Sequence, residues 1–134
     1  MDQTQQKVNT VTMTEKKKIL IVDDEPSWRD LLSFELSSEG YDVATASMAT
    51  EGLVHLRQFQ VDLLITDVRM PGELDGIDMV KIYRKEKPYL KVIFITGYAV
   101  EEKLQEALGQ QLTVVLRKPF NMDDLLKKVR NFLT

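Results

Sequence analysis

The chain has 134 residues, of which 43% are hydrophobic and 29% charged, so it can form one core and shows no global bias toward disorder. Its net charge of −3 and pI of about 5.2 argue against a domain that mainly binds nucleic acid through phosphates. It lacks cysteine, a signal peptide and any apolar run of the roughly 18 residues that a membrane span needs, so we expect a cytoplasmic protein without disulfides or membrane contact.

The first 16 residues are expected to form a flexible leader, and residues 17–134 a single folded domain. The leader is polar and shows no sustained hydrophobic period. Its last residue begins the tract Lys16-Lys17-Lys18, and such a basic tract is one way to contact nucleic acid. Three lysines before a strand are more typical of a solvated entry, so we assign them no binding role.

A strand, a helix and a second strand are predicted for the first part of the domain. Ile19–Val22 is a short β-branched run that ends at Asp23-Asp24-Glu25. Pro26 suits the first turn of a helix that Gly40 ends, and the weakly alternating Tyr41–Thr45 predicts a strand nearer the sheet edge. A second helix is expected from about Ser47 to Phe59. The residues predicted to face inward are Trp28, Leu31, Leu32, Leu36, Leu53, Val54 and Leu56.

The unbroken apolar run Leu63-Leu64-Ile65 predicts a strand buried on both faces, as in the centre of a parallel sheet. Asp67 ends this strand just before the turn at Pro71-Gly72. Asp67 is therefore expected at the carboxyl edge of the sheet, where open α/β folds bind their ligands.

The rest of the chain continues the alternation of helices and strands. Lys87-Pro88 should end a third helix, because the residue before proline disfavours helix. Further elements are a strand at Val92–Thr96, a charged helix at Val100–Leu108, a strand at Leu112–Leu116 and a helix capped by Asn121. Inward-facing residues are predicted to be Ile77, Val80, Ile82, Leu125, Leu126, Val129 and Phe132. Five strands alternating with helices predict an α/β fold with a parallel sheet covered on both faces.

Five polar residues at the strand ends should meet at one edge of this sheet, namely Asp23, Asp24, Asp67, Thr96 and Lys118. Strand-end aspartates often cap the following helix, but carboxylates so close together either take up protons or recruit a cation. Mg²⁺ suits such oxygens and keeps waters available for phosphate. With the ammonium and hydroxyl groups, the edge predicts a phosphoryl pocket in which Asp67 is the nucleophile.

The strand-end motifs resemble the receiver domain of two-component response regulators. They are Asp23-Asp24-Glu25-Pro26, Thr66-Asp67-Val68-Arg69-Met70-Pro71-Gly72 with Asp75-Gly76, Ile95-Thr96-Gly97 and Lys118-Pro119-Phe120. The resemblance runs from about Lys17 to the end of the chain. It implies a flavodoxin-like (βα)5 fold, doubly wound with strand order 2-1-3-4-5. It also implies phosphoryl transfer from a sensor histidine kinase or phosphotransfer protein to Asp67, which switches a partner-binding surface.

The resemblance also assigns roles around the acid. Asp24 and Asp67 would bind Mg²⁺ directly and Asp23 through water, and the backbone carbonyl of Arg69 would complete the protein ligands. Thr96 would reorient onto the phosphoryl group, and Lys118 would pair with it. The resemblance also allows a homodimer, in which a second copy of this chain is the partner.

Three features depart from the family pattern. Val115 stands where an aromatic residue usually moves inward on activation, so aromatic gating is in doubt, and Tyr98 is a candidate substitute. Glu73-Leu74 makes the loop after Pro71-Gly72 one residue longer than its commonest form. Arg69 and Tyr98 flank the expected path of a water that attacks the aspartyl phosphate. Their bulk predicts a long-lived phosphorylated form; the alternative is that both are solvated side chains without effect.

The resemblance predicts a signalling domain that is not an enzyme. Three other functions are considered as alternatives. A phosphatase of the aspartyl-phosphate type would need a different spacing of acids after the first strand and a cap insertion. A receiver that binds partners without phosphorylation is suggested only by Val115. A flavin carrier is excluded because Asp23-Asp24-Glu25 would repel its phosphate.

The five expected helices leave no helix-turn-helix pair, so we expect no direct nucleic acid binding. The chain is expected to end just after its last helix. A stand-alone receiver, a phosphorelay intermediate and a part of a longer regulator all remain open.

Overall fold

The computed structural model describes residues 15–97, 104 and 112–134. The strands are β1 (Lys18–Val22), β2 (Asp42–Ala46), β3 (Leu63–Asp67), β4 (Val92–Thr96) and β5 (Thr113–Arg117). The described helices are α1 (Pro26–Ser38), α2 (Ala49–Gln58), α3 (Gly76–Glu86) and α4 (Met122–Leu133). The strands form one sheet in the order β2-β1-β3-β4-β5, and every neighbouring pair is parallel. The predicted doubly wound α/β fold is confirmed.

Strand β3 is the centre of the sheet. It pairs with β1 on one side and β4 on the other, with Val22 opposite Thr66 and Asp67 opposite Ile95. All five of its residues are buried, as the apolar run predicts. Asp67 therefore stands at the end of a strand that has no solvent-exposed edge.

The sheet separates two apolar clusters, because successive strand residues point to opposite faces. Leu20, Leu64 and Phe94 face the cluster that includes residues of α2 and α3. Ile21 and Ile65 face the cluster that includes residues of α1 and α4. Both strand faces are thus covered, which explains why the inner strands are apolar at nearly every position before their carboxyl ends.

The helix ends follow from local sequence. Pro26 occupies the first turn of α1, where its missing N–H is not needed. Asp75 and Asp78 form a reciprocal capping box at the start of α3, with N–H to oxygen distances of 2.8 and 3.0 Å. The predicted cap of α4 is confirmed, since the Asn121 side chain accepts a 2.7 Å bond from the N–H of Asp123.

Two residues predicted to face inward are exposed. Leu31 is 44% exposed and Val54 is 54% exposed, so both assignments were wrong. Each has an apolar neighbour in sequence, Leu32 or Leu53, that occupies the buried face. Adjacent helical residues point about 100° apart, so only one of each pair can reach the core.

The remaining inward predictions are confirmed or partly confirmed. The residues that are buried as expected are Leu32, Leu36, Leu53, Leu56, Ile77, Val80, Leu125, Leu126 and Val129. Trp28, Ile82 and Phe132 are half-buried. The predicted helix at Val100–Leu108 lies outside the described residues except for Leu104, which is buried. The leader also lies outside them up to residue 14, so its boundary stays a prediction.

Candidate functional site

The carboxyl ends of four strands bring polar residues to one edge of the sheet. Asp67 and Thr96 are the last residues of β3 and β4, and Asp23 and Lys118 directly follow β1 and β5. Asp23 and Asp67 are 2% and 8% exposed, and Thr96 is 1% exposed. The register brings these ends level, with Thr96 opposite Arg117 in β5. The predicted convergence of these strand ends is therefore present.

The ammonium group of Lys118 lies between three carboxylates. Its Nζ is 3.4 Å from Asp23 Oδ2, 3.4 Å from Asp67 Oδ2 and 3.5 Å from Glu25 Oε1. Burial alone would lower the pKa of Lys118, but the carboxylates of Asp67, Asp23 and Glu25 outweigh it and raise the pKa. Lys118 is therefore a fixed positive charge shared by the two buried aspartates.

The acids form a cluster that suits a cation. Oxygens of Asp23, Glu25 and Asp67 all lie within 4.8 Å of one another. Burial raises the pKa of Asp67, and the Asp23 carboxylate raises it further, while Lys118 acts in the opposite direction. Burial likewise raises the pKa of Asp23. One ammonium thus leaves the repulsion incompletely balanced, and the donor set of carboxylate oxygens fits a hard divalent ion such as Mg²⁺.

The positions of Asp24 and Arg69 differ from those of the three clustered acids. Asp24 is half-buried, and its charge contributes to the raised pKa of Asp23, but the close group among the described residues contains Glu25 instead. Arg69 is an exposed residue of the loop that follows Asp67. Sequence reasoning gave Glu25 no role at the site. The only available signal was a third acid directly before Pro26.

Hydrogen bonds that involve backbone groups hold Asp23 and the chain directly after Asp67. Asp23 Oδ1 accepts a 2.9 Å bond from the N–H of Glu25, and Arg29 Nη1 donates a 2.7 Å bond to the carbonyl of Asp23. At the start of α3, the N–H of Gly76 donates a 2.8 Å bond to the carbonyl of Val68. A Cβ at position 76 would lie 2.0 Å from the carbonyl oxygen of Asp67, so only glycine fits.

The loop after β5 is joined to the end of β4. The N–H of Lys118 donates a 2.9 Å bond to the carbonyl of Thr96, so the two residues are held side by side. The Lys118–Pro119 peptide bond is cis. The hydrogen bond from Lys118 to Thr96 places the backbone of the predicted hydroxyl residue beside that of the predicted lysine.

An aromatic pair lies against Lys118. Its Nζ is 4.8 Å from the ring centroid of Trp28 in α1. The Trp28 ring in turn stacks on Phe120, with centroids 5.2 Å apart and planes inclined by 25°. The sequence predicted Trp28 only as a core residue, because nothing in a helical pattern shows that its ring reaches the neighbouring strand end.

Among the residues that depart from the family pattern, the structure describes Val115 but not Tyr98. Val115 is half-buried and packs against the cluster that contains Leu104 and Phe94. Tyr98 lies outside the described residues, so the predicted effect of Arg69 and Tyr98 on water attack stays a prediction.

Similar proteins are found both by sequence and by structure. The chain is 37% identical over 119 residues to the alkaline phosphatase synthesis transcriptional regulatory protein PhoP of Bacillus subtilis, covering 87% of this chain and 48% of that protein. It is 36% identical over 115 residues to the transcriptional regulatory protein GlrR of Escherichia coli, covering 86% of this chain and 26% of that protein. The chain thus spans about a quarter to a half of the length of these relatives.

Two solved structures illustrate the structural similarity. A CheY-like receiver domain protein from Methanospirillum hungatei has a TM-score of 0.82 and 33% identity, covering 87% of this chain and 93% of that one. The response regulator TrrA from Thermotoga maritima, solved in complex with Mg²⁺ and BeF, has a TM-score of 0.76 and 38% identity, covering 87% of this chain and 98% of that one.

Among the described residues, no helix has the length and apolar character that crossing a membrane requires.

A family model also matches most of the chain. The model of the response regulator receiver domain matches residues 19–130, the part of the chain that carries the sheet and the acid cluster. The chain therefore belongs to the family of response regulator receiver domains, the phosphoacceptor signalling modules of two-component systems.

Proposed function

We propose that Asp67 is the residue that accepts the phosphoryl group, from a sensor histidine kinase or a phosphotransfer protein. One observation carries this assignment. The Asp67 carboxylate ends the central strand, lies 3.4 Å from the Lys118 ammonium and belongs to a cluster with two further acids. A carboxylate held in this way combines a nucleophilic oxygen with positive charge beside the position that the phosphoryl group will occupy.

Mg²⁺ is the proposed cofactor. Asp23, Glu25 and Asp67 offer clustered oxygens, and Asp24 with the backbone carbonyl of Arg69 would complete the proposed set of ligands. The Thermotoga maritima regulator TrrA, whose structure contains Mg²⁺ and BeF, supports this choice of ion. When bound, Mg²⁺ supplies positive charge that offsets both the acid repulsion and the charge of the phosphoryl oxygens.

The chain's own residues have distinct parts in the transfer. An Asp67 carboxylate oxygen attacks phosphorus and forms the new P–O bond, while the donor's bond to phosphorus breaks and its electron pair leaves with the donor group. Lys118, already beside Asp67, pairs with a phosphoryl oxygen, and the Thr96 hydroxyl donates to another. The product is an aspartyl phosphate on this chain, so the domain acts as its own acceptor and needs no separate substrate pocket.

The proposed output is a switched partner-binding surface. Rearrangement of Thr96 and Lys118 onto the phosphoryl group would change the loops after β4 and β5, because Thr96 is the last residue of β4 and Lys118 is the first residue after β5. Four predictions from the sequence remain predictions alongside this proposal. They are a homodimer, the absence of direct nucleic acid binding, a cytoplasmic location, and a leader of residues 1–16 before the domain of residues 17–134.

Acetyl phosphate provides the test. The wild-type chain is incubated with acetyl phosphate and Mg²⁺, and its intact mass is measured; we expect a phosphate-sized increase that disappears when EDTA replaces Mg²⁺. Asp67→Asn should show no increase. Asp62→Asn is the matched control, because Asp62 precedes the same strand and its carboxylate accepts a 2.8 Å bond from the N–H of Lys18 at the opposite edge. Labelling of Asp67→Asn, or no labelling of the wild type, would contradict the proposal.

A further inference from the structure

We propose that Trp28 is a positioning residue for phosphoryl transfer, because its indole ring holds the Lys118 ammonium beside Asp67. The inference rests on the proposed function, since it gives Trp28 a part in the same reaction. The ring is not expected to touch the phosphoryl group. It acts through Lys118, which does.

The contact has the geometry of a cation–π interaction. Lys118 Nζ lies 4.8 Å from the centroid of the Trp28 ring, inside the limit of about 6 Å for such contacts. The Lys118 side chain is only 13% exposed, so water screens this attraction weakly. Tryptophan has the aromatic face that attracts a cation most strongly. The ring therefore contributes to where the ammonium lies.

Lys118 needs such a restraint because its carboxylate partners pull it in different directions. Asp23 and Asp67 are buried, whereas the Glu25 side chain is 55% exposed and lies 3.5 Å from the ammonium. A lysine side chain is flexible, and its ammonium is strongly hydrated. Without the ring, the ammonium could follow Glu25 toward solvent and leave Asp67 without its positive partner.

The ring is itself held from two sides. Trp28 belongs to the first turn of α1, and the next residue, Arg29, donates a 2.7 Å bond to the carbonyl of Asp23. Its ring stacks on Phe120, two residues after Lys118, and both rings pack against the cluster beneath α1 and α4. The first turn of α1 is thus connected to both the acid and the lysine of the site.

Ring-current shifts test the placement directly. In the NMR spectrum of the wild type, the ε-methylene protons of Lys118, identified by their loss in Lys118→Met, should be shifted upfield by the indole ring. Trp28→Leu should return them to the ordinary lysine position, and Trp28→Phe should retain part of the shift. Phe34→Leu is the matched control, because it removes a ring that is 68% exposed on the same helix. It should leave the shift unchanged.

Labelling rates test the role. With saturating Mg²⁺ and acetyl phosphate, Trp28→Leu should be labelled about threefold to tenfold more slowly than wild type, which is the size of a partly buried cation–π contact. Trp28→Phe should be within about twofold of wild type, because it keeps an aromatic face. Phe34→Leu should equal wild type. Phenylalanine also replaces more of the tryptophan volume than leucine does, so the rescued rate must be accompanied by a retained ring-current shift on Lys118; a residue that only fills space would give the rate without the shift.

The outcomes separate this inference from the proposed function. If the wild type is not labelled at all, the proposed function fails, and so does the role of Trp28 in it. If the wild type is labelled and Trp28→Leu is labelled equally fast, or Lys118 shows no ring-current shift, only the inference about Trp28 is overturned. Equal slowing in the phenylalanine and leucine variants would also overturn it.

Discussion

Gly76→Ala is the substitution whose effect the structure defines most sharply. A Cβ at this position would lie 2.0 Å from the carbonyl oxygen of Asp67 and 3.0 Å from Thr66 Oγ1, whereas ordinary contacts begin at 3.4 Å. The carbonyl belongs to the buried central strand, which is paired on both sides, so it cannot move away from the added Cβ. The start of α3 must therefore move by more than 1 Å, the difference between these distances.

The expected change in the free energy of unfolding is the sum of two destabilising contributions and one stabilising contribution. Overpacking of this kind costs about 1–3 kcal/mol. Displacement of the helix weakens the 2.8 Å bond from the N–H of Gly76 to the carbonyl of Val68, worth about 1 kcal/mol. Against this, alanine gains at most about 1 kcal/mol over glycine in a helix. We expect the free energy of unfolding to fall by about 1–3 kcal/mol.

Urea unfolding followed by far-UV circular dichroism measures this loss, and Gly52→Ala provides the comparison. A Cβ at position 52 would lie 2.8 Å from Met79 Sδ and 2.9 Å from Val22 Cγ2, both side-chain atoms, and the methionine can rotate away. Its loss should therefore be smaller. Gly76→Ala should also slow labelling by acetyl phosphate, because the start of α3, which must move, is in contact with the carbonyl of Asp67. A Gly76→Ala protein as stable as wild type, or more stable than Gly52→Ala, would refute this reasoning.

Four further predictions follow from the site and the core. At neutral pH, Mg²⁺ at one hundred times its dissociation constant should raise the free energy of unfolding by about 2.7 kcal/mol, and urea titrations with and without EDTA should show Asp67→Asn losing most of this gain. Without metal, burial raises the pKa of Asp67 above its usual 3.8, so the folded state binds a proton more tightly than the unfolded chain. Stability should therefore rise as the pH falls from neutral through that raised pKa toward 3.8, with a shallower slope in Asp67→Asn; the opposite slope would show that the charged form is favoured. Phe94→Ala removes a ring that is 0% exposed and should cost about 3–5 kcal/mol in urea unfolding, whereas Phe34→Ala, at a position that is 68% exposed, should change stability by less than about 0.5 kcal/mol. Arg69→Ala and Tyr98→Ala should shorten the lifetime of the phosphorylated form measured by intact mass, and unchanged lifetimes in both would end the idea that their bulk hinders water.

The sheet was predictable because its inner strands are buried on both faces. Val92–Thr96 has the predicted bounds of β4, and the predicted strand end at Asp67 is the end of β3. Continuous apolar runs leave little freedom in placing such strands. The helix faces were less predictable. In Leu31-Leu32 either neighbour satisfies the helical period, and only packing against the sheet decides which one is buried.

The site was predictable where strand ends determine it. Asp23, Asp67 and Lys118 converge because parallel strands end at one edge, which requires only the strand boundaries. Glu25 and Trp28 were missed for a different reason. Their directions depend on the turn between β1 and α1 and on the first helical turn, where neither strand alternation nor helical period determines the orientation of a side chain.

The position of Asp67 limits how any change at this acid can reach the surface. Strand β3 is paired on both sides, and its final carbonyl is in contact with Gly76, so the acceptor acts as a stationary anchor. Movement must then come from groups drawn toward it. Because the N–H of Lys118 is bonded to the carbonyl of Thr96, the termini of β4 and β5 should shift together as one unit. A partner that recognises the modified domain would thus read the joint displacement of two adjacent strand ends.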